Sequence, residues 1–86
     1  MNLDQDAENA ALSNYYVVDS RTTGTGDAAV TEYHVKGTHT PGWTHRATVD
    51  AAGHWSMQSI EPSPSPIPEG SAMWLSIRAV CTTHAD

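Results

Sequence analysis

Read along the chain, apolar and polar positions alternate with a period of two in most segments, the signature of strands that bury one face. The pattern is sharpest over residues 43–61. Asp50-Ala51-Ala52-Gly53 reads as a hairpin turn, with Asp accepting turn hydrogen bonds and Gly at the left-handed position. If Asp50 faces His54, then Val49 faces Trp55 and Ala47 faces Met57, both apolar pairs. Thr48 then faces Ser56 and Arg46 faces Gln58, both polar. A slip of one residue would mix the two faces, so turn chemistry and alternation predict the same register.

Other segments follow from the same pattern. Asn14 to Ser20 is a β-branched and aromatic run that predicts a first strand, and Thr22 to Asp27 is a turn cluster. Ala28 to Gly37 alternates so that Tyr33 and Val35 face inward and Glu32, His34 and Lys36 face outward. Thr38 to Gly42 breaks that strand, with Pro41-Gly42 suited to a type II turn. Four prolines at alternate positions between Glu61 and Gly70 predict an extended connector. Residues 71–82 read as a closing strand, with Met73, Leu75, Ile77, Ala79 and Cys81 on one side and Trp74, Ser76, Arg78 and Val80 on the other. Residues 83–86 form a tail. Residues 1–13 carry Asp4, Asp6 and Glu8 and read as an N-terminal arm, extended or briefly helical, preceding a single β domain over 14–86.

The expected fold is therefore all-β: a small immunoglobulin-like antiparallel sandwich of five to seven strands, with a five-stranded OB- or SH3-like barrel as the alternative. Composition agrees. Lys is nearly absent, Phe is absent, and three Trp and three Tyr supply the aromatic bulk.

Charge narrows the function. Four Lys plus Arg against ten Asp plus Glu, a net of −6, speak against nucleic acid and against an anionic membrane surface as partners. No apolar run approaches the roughly 20 residues of a membrane span, and the acidic opening is unlike a signal peptide. One cysteine, Cys81, gives no intrachain disulfide.

Candidate chemistry is thin. His34, His39, His45, His54, His84 and Cys81 match no zinc spacing, and the predicted register sends His45 to the core and His54 to the polar side. A grouping of His34, His39 and His84 stays open. No Gly-x-Ser-x-Gly elbow couples a nucleophile to a base, and Gly24-Thr25-Gly26 lacks the Lys of a phosphate loop. The expectation is a non-enzymatic protein with no metal and no cofactor. Trp55 reads as core. Trp43, Trp74 and Arg78 are the candidate binding residues, because aromatic and Arg side chains dominate interaction hot spots.

Three stretches carry a family resemblance: Val35 to Gly42, with Gly37-Thr38-His39-Thr40-Pro41-Gly42; Ala47 to Ser56, with Val49-Asp50-Ala51-Ala52-Gly53-His54-Trp55-Ser56; and Pro66 to Val80. Together they resemble the bacterial immunoglobulin-like repeats of surface adhesins and phage structural proteins, over residues 35–80. The resemblance implies a sandwich fold and a structural or adhesive role. With no export signal and no disulfide, the expected setting is a virion or the host cytoplasm during assembly. The expected function is a phage virion accessory protein, capsid-decorating or tail-associated, binding other proteins or surface glycans, with homo-oligomers allowed. Two alternatives stand beside it: a small acidic, anti-CRISPR-like inhibitor of a host nucleic-acid-binding machine, and a carbohydrate-binding module using Trp43 and Trp74.

Overall fold

A computed structural model describes residues 14–84. The predicted N-terminal arm, 1–13, and the last two residues of the tail lie outside the described residues. Five strands, β1 (Tyr15–Thr23), β2 (Val30–Gly37), β3 (Thr44–Asp50), β4 (Trp55–Glu61) and β5 (Ser65–Pro66), are followed by one helix, α1 (Ala72–Thr83). The strands form one open antiparallel sheet in the order β1-β2-β3-β4-β5. The protein is mostly β and antiparallel, as the alternation predicts.

The central hairpin has the predicted register: Val49 pairs with Trp55, Thr48 with Ser56, Ala47 with Met57 and Arg46 with Gln58. The Asp50 amide donates to the His54 carbonyl and the Gly53 amide to the Asp50 carbonyl, 3.1 and 3.0 Å. The Asp50 carboxylate accepts from the amides of Ala52 and His54 at 3.0 and 2.9 Å. Gly53 has φ +87°, a left-handed conformation that side chains disfavour. Those two backbone bonds, the His54 one foremost, hold the Asp50 carboxyl below its ordinary pKa.

A bulge at Val18 shifts β1 by one residue, because Val17 pairs with Val35 but Asp19 with His34. Tyr15 and Val17 thus share the core face with Tyr33, Val35, Ala47, Trp55 and Met57, while Asp19 joins the outer face beside His34. The loop after β2 differs from the expected type II turn. Thr40 and Trp43 amides bond to the carbonyls of Gly37 and Thr40, at 3.3 and 3.0 Å, and Gly42 keeps a negative φ. A side chain at Gly37 would collide with the Thr40 hydroxyl, which seats this loop closely against the end of β2.

The proline connector is extended, as expected. Ser65 and Pro66 add a two-residue edge to β4, an outer position at which a proline is tolerated. Ile67 follows and is buried, its amide bonded to the Met57 carbonyl at 3.2 Å. The Glu61–Pro62 peptide is cis.

Residues 71–82 are a helix, not the predicted closing strand. Gly70 turns the chain at φ +81°, and the Ser71 hydroxyl accepts from the Trp74 amide at 3.2 Å as an N-cap. Trp74, Ile77, Val80 and Cys81 are buried, a three-to-four-residue spacing that one helix face presents. The strand reading grouped Met73, Leu75 and Ile77, yet Met73 and Leu75 are exposed while Ile77 is fully buried. The helix therefore supplies the second layer over the sheet. The buried core combines Val35, Ala47 and Met57 of the sheet with Ile67 and the four buried helix residues.

Candidate functional site

A pocket lined by aromatic rings lies where β1 begins, β3 begins and the helix starts. Alternation along β3 sends His45 into the core, where it is 2% exposed. Its Nδ1 bonds to the Ser59 hydroxyl of β4 at 2.9 Å, so a buried polar pair is satisfied rather than orphaned. Burial disfavours the imidazolium and pushes the His45 pKa below its ordinary value. Trp43, delivered by the 38–43 loop, stacks on that imidazole with ring centroids 6.3 Å apart and planes at 18°. Tyr15 approaches the same imidazole edge-on, at 6.0 Å and 70°, and burial raises its phenol pKa.

These rings, with Thr40 and Met73 from the first turn of α1, line a pocket of about 180 Å³. Trp43 and Met73 remain 41% and 40% exposed. Nothing charged lines the pocket. Small-molecule sites usually start at about 300 Å³, so this one suits a single apolar or aromatic side chain better than a cofactor. A sugar ring would also want several convergent polar groups, whereas His45 Nδ1 is already committed to Ser59.

The three residues singled out from the sequence separate. Trp43 lines the pocket. Trp74 is 7% exposed in the core, and the Arg78 guanidinium covers its ring with Cζ 4.8 Å from the centroid. With the core on one side and Arg78 on the other, Trp74 offers no free ring to a ligand, which corrects its reading as a glycan platform. Tyr15, Thr40, His45 and Met73 were missed as lining residues. Alternation along residues 43–50 was a usable signal for His45; Tyr15 stands in an unbroken apolar run that assigns no face, and Met73 required the helix.

A second cluster occupies the outer sheet face. The bulge at Val18 brings Asp19 to His34, with Nδ1–Oδ1 at 2.6 Å, while Nε2 lies 2.8 Å from Glu32. The carboxylates use opposite nitrogens of one ring, so the three groups do not converge on a common point. Among the described residues no three His, Cys, Asp or Glu side chains are placed to hold a metal ion. His34 lies on the outer face, whereas His84 contacts the core-face ring of Tyr33 at 6.4 Å, so the grouping left open from sequence is divided. Cys81 is 1% exposed, and burial pushes its thiol up to about 12. Among the described residues no helix is long and apolar enough to cross a membrane.

Comparison with family models, curated proteins and solved structures finds no match for this chain.

Proposed function

We propose that this chain is a non-enzymatic protein-interaction module whose contact point is the pocket at Trp43, filled by one apolar side chain of a protein partner. The observation that carries this reading is an exposed indole fixed in orientation by stacking on a buried, hydrogen-bonded imidazole. A rigid aromatic beside an apolar pocket loses little entropy on binding, and such sites dominate interface energetics. The resemblance to immunoglobulin-like repeats points to a phage virion as the setting, with capsid or tail proteins as partners; with residues 72–83 helical, it rests on its first two stretches. An acidic mimic of nucleic acid has less support. Asp27 and Glu69 lie in the turns before β2 and α1, Asp50 and Glu61 end β3 and β4, and Asp19 and Glu32 both bond to His34.

Displayed peptides selected on the wild-type protein test the site. Enriched peptides should share one aromatic or branched apolar residue and should bind Trp43→Ala at least about thirtyfold more weakly, as for a hot-spot residue. Equal affinity for both proteins would remove the pocket from the account. Purified capsids and tails test the setting separately: co-sedimentation of wild type, reduced by Trp43→Ala, is the expected result, and no binding to either particle refutes it.

A further inference from the structure

The buried member of the Trp43 pocket keeps one polar atom uncommitted. His45 is 2% exposed, and its Nδ1 is held by the Ser59 hydroxyl at 2.9 Å. Among the described residues no hydrogen bond reaches its other nitrogen, Nε2, and no buried side-chain nitrogen or oxygen is sealed off without a partner. Nε2 therefore opens outward, and the space that His45 lines is the pocket shared with Tyr15, Thr40, Trp43 and Met73. The hydroxyls of Tyr15 and Thr40 border it too, but Thr40 is exposed and Tyr15 half-buried, so both keep access to water. Nε2, on a side chain almost wholly enclosed, is reached through the pocket.

Size and hydrogen bonding together select an occupant. An apolar cavity of about 150 Å³ holds one benzene ring. At about 180 Å³, this pocket takes one six-membered ring with a small substituent and is tight for an indole. The Ser59 hydroxyl can donate to Nδ1 or accept from it, so Nε2 donates in the first case and accepts in the second. A phenol meets either case, because its oxygen accepts and its O–H donates. An indole N–H only donates, and a phenyl ring does neither. Burial, which pushes the His45 pKa down, keeps the imidazole neutral near neutral pH and able to make such a bond. No charged side chain among the described residues lines the pocket, so an anionic head finds no counter-charge there.

We propose that the side chain received by the Trp43 pocket is a tyrosine of the partner protein, its ring against Trp43 and Met73 and its hydroxyl hydrogen-bonded to His45 Nε2. The inference rests on the pocket being the contact point and adds which residue enters it. A phenyl ring in the same place covers Nε2 and leaves it unpaired in a dry site, a loss of about tenfold in affinity. The resulting preference, tyrosine over phenylalanine, is the reverse of the order that apolar transfer alone gives.

Peptides displayed against the full wild-type chain serve as probes. The enriched ones should share a tyrosine, and replacing it with phenylalanine should weaken binding by about tenfold. The NMR resonance of the His45 imidazole nitrogen Nε2 should move on binding the tyrosine peptide and move less with the phenylalanine peptide. The double variant His45→Leu, Ser59→Ala removes both halves of the buried polar pair and leaves neither orphaned, so in it the preference for tyrosine should disappear. If that variant does not fold, the wild-type nitrogen shift decides by itself. Phosphorylating the tyrosine should abolish binding, since a dianion meets no cation in the pocket; retained affinity would overturn the proposal. Equal or tighter binding of the phenylalanine peptide, while Trp43→Ala still weakens both, would overturn the phenol and leave the contact point standing. Binding indifferent to Trp43→Ala, or no enriched peptide at all, would remove the contact point and this inference with it.

Discussion

Leu75 and Ile77 are two residues apart, and truncating each to alanine separates the helix from a strand. On a strand the two side chains share a face and lose comparable burial when cut back. On α1 they point about 200° apart: Ile77 is fully buried, whereas Leu75 is 41% exposed. Removing the buried Ile77 side chain costs about 2–5 kcal/mol in lost transfer energy and cavity. Leu75→Ala forfeits only partial burial and keeps a good helix former, so about 1 kcal/mol or less is expected. For a domain of this size, 1 kcal/mol moves Tm by about 4–8 °C. Ile77→Ala should therefore lower Tm by about 8 °C at least, and it can consume much of the roughly 5–15 kcal/mol of stability typical of small domains. Leu75→Ala should lower it by less than about 8 °C. Thermal and urea unfolding, followed by circular dichroism and tryptophan fluorescence, measure both. Equal losses for the two variants would refute the helical placement.

Three further outcomes follow from the same packing. Because burial lowers the folded pKa of His45, its contribution to stability is fully present above the unfolded value of about 6.5 and is lost as pH falls below it; urea midpoints should drop between pH 7 and 5, and His45→Gln should flatten that drop, whereas an unchanged slope would contradict it. Cys81, buried and with its thiol raised to about 12, should resist Ellman's reagent at pH 8 in the folded protein and react fully in denaturant; rapid labelling without denaturant would contradict its place in the core. Gly53→Ala forces a side chain into φ +87° and should cost about 1–2 kcal/mol, read from the urea midpoint; a neutral result would contradict the turn conformation.

The hairpin was legible because two independent signals coincide there. Asp50 and Gly53 specify the turn, and both faces of the flanking strands agree on one register. The inward positions of Tyr33, Val35 and His45 followed from the same alternation. Residues 71–82 defeated it because that segment carries two periodicities at once. Met73, Leu75, Ile77, Ala79 and Cys81 alternate like a strand, while Trp74, Ile77, Val80 and Cys81 recur like a helix. What decides between them is local: Gly70 ends the connector, Ser71 caps, and Ala72, Met73, Leu75 and Arg78 are good helix formers. The orientation of Trp74, and hence its loss as a binding residue, follows from that one choice. Of the pocket, His45 was visible as an inward-facing ring on β3 and Trp43 as a candidate contact residue, while Tyr15 stands in an apolar run that assigns no face. The rest, Met73 and Thr40, depends on where the helix and the 38–43 loop meet the sheet end, which no periodicity encodes.

The pocket exists only if the helix starts where Met73 can stand against Trp43 and Tyr15. A nuclear Overhauser experiment on the isotope-labelled full chain measures that juxtaposition together with the carbon shifts of residues 72–83. Helical Cα shifts over this span, with cross-peaks from the Met73 methyl to the ring protons of Trp43 and Tyr15, are the predicted result. Extended shifts over 72–82, with no contact between Met73 and either ring, would contradict both the fold and the site.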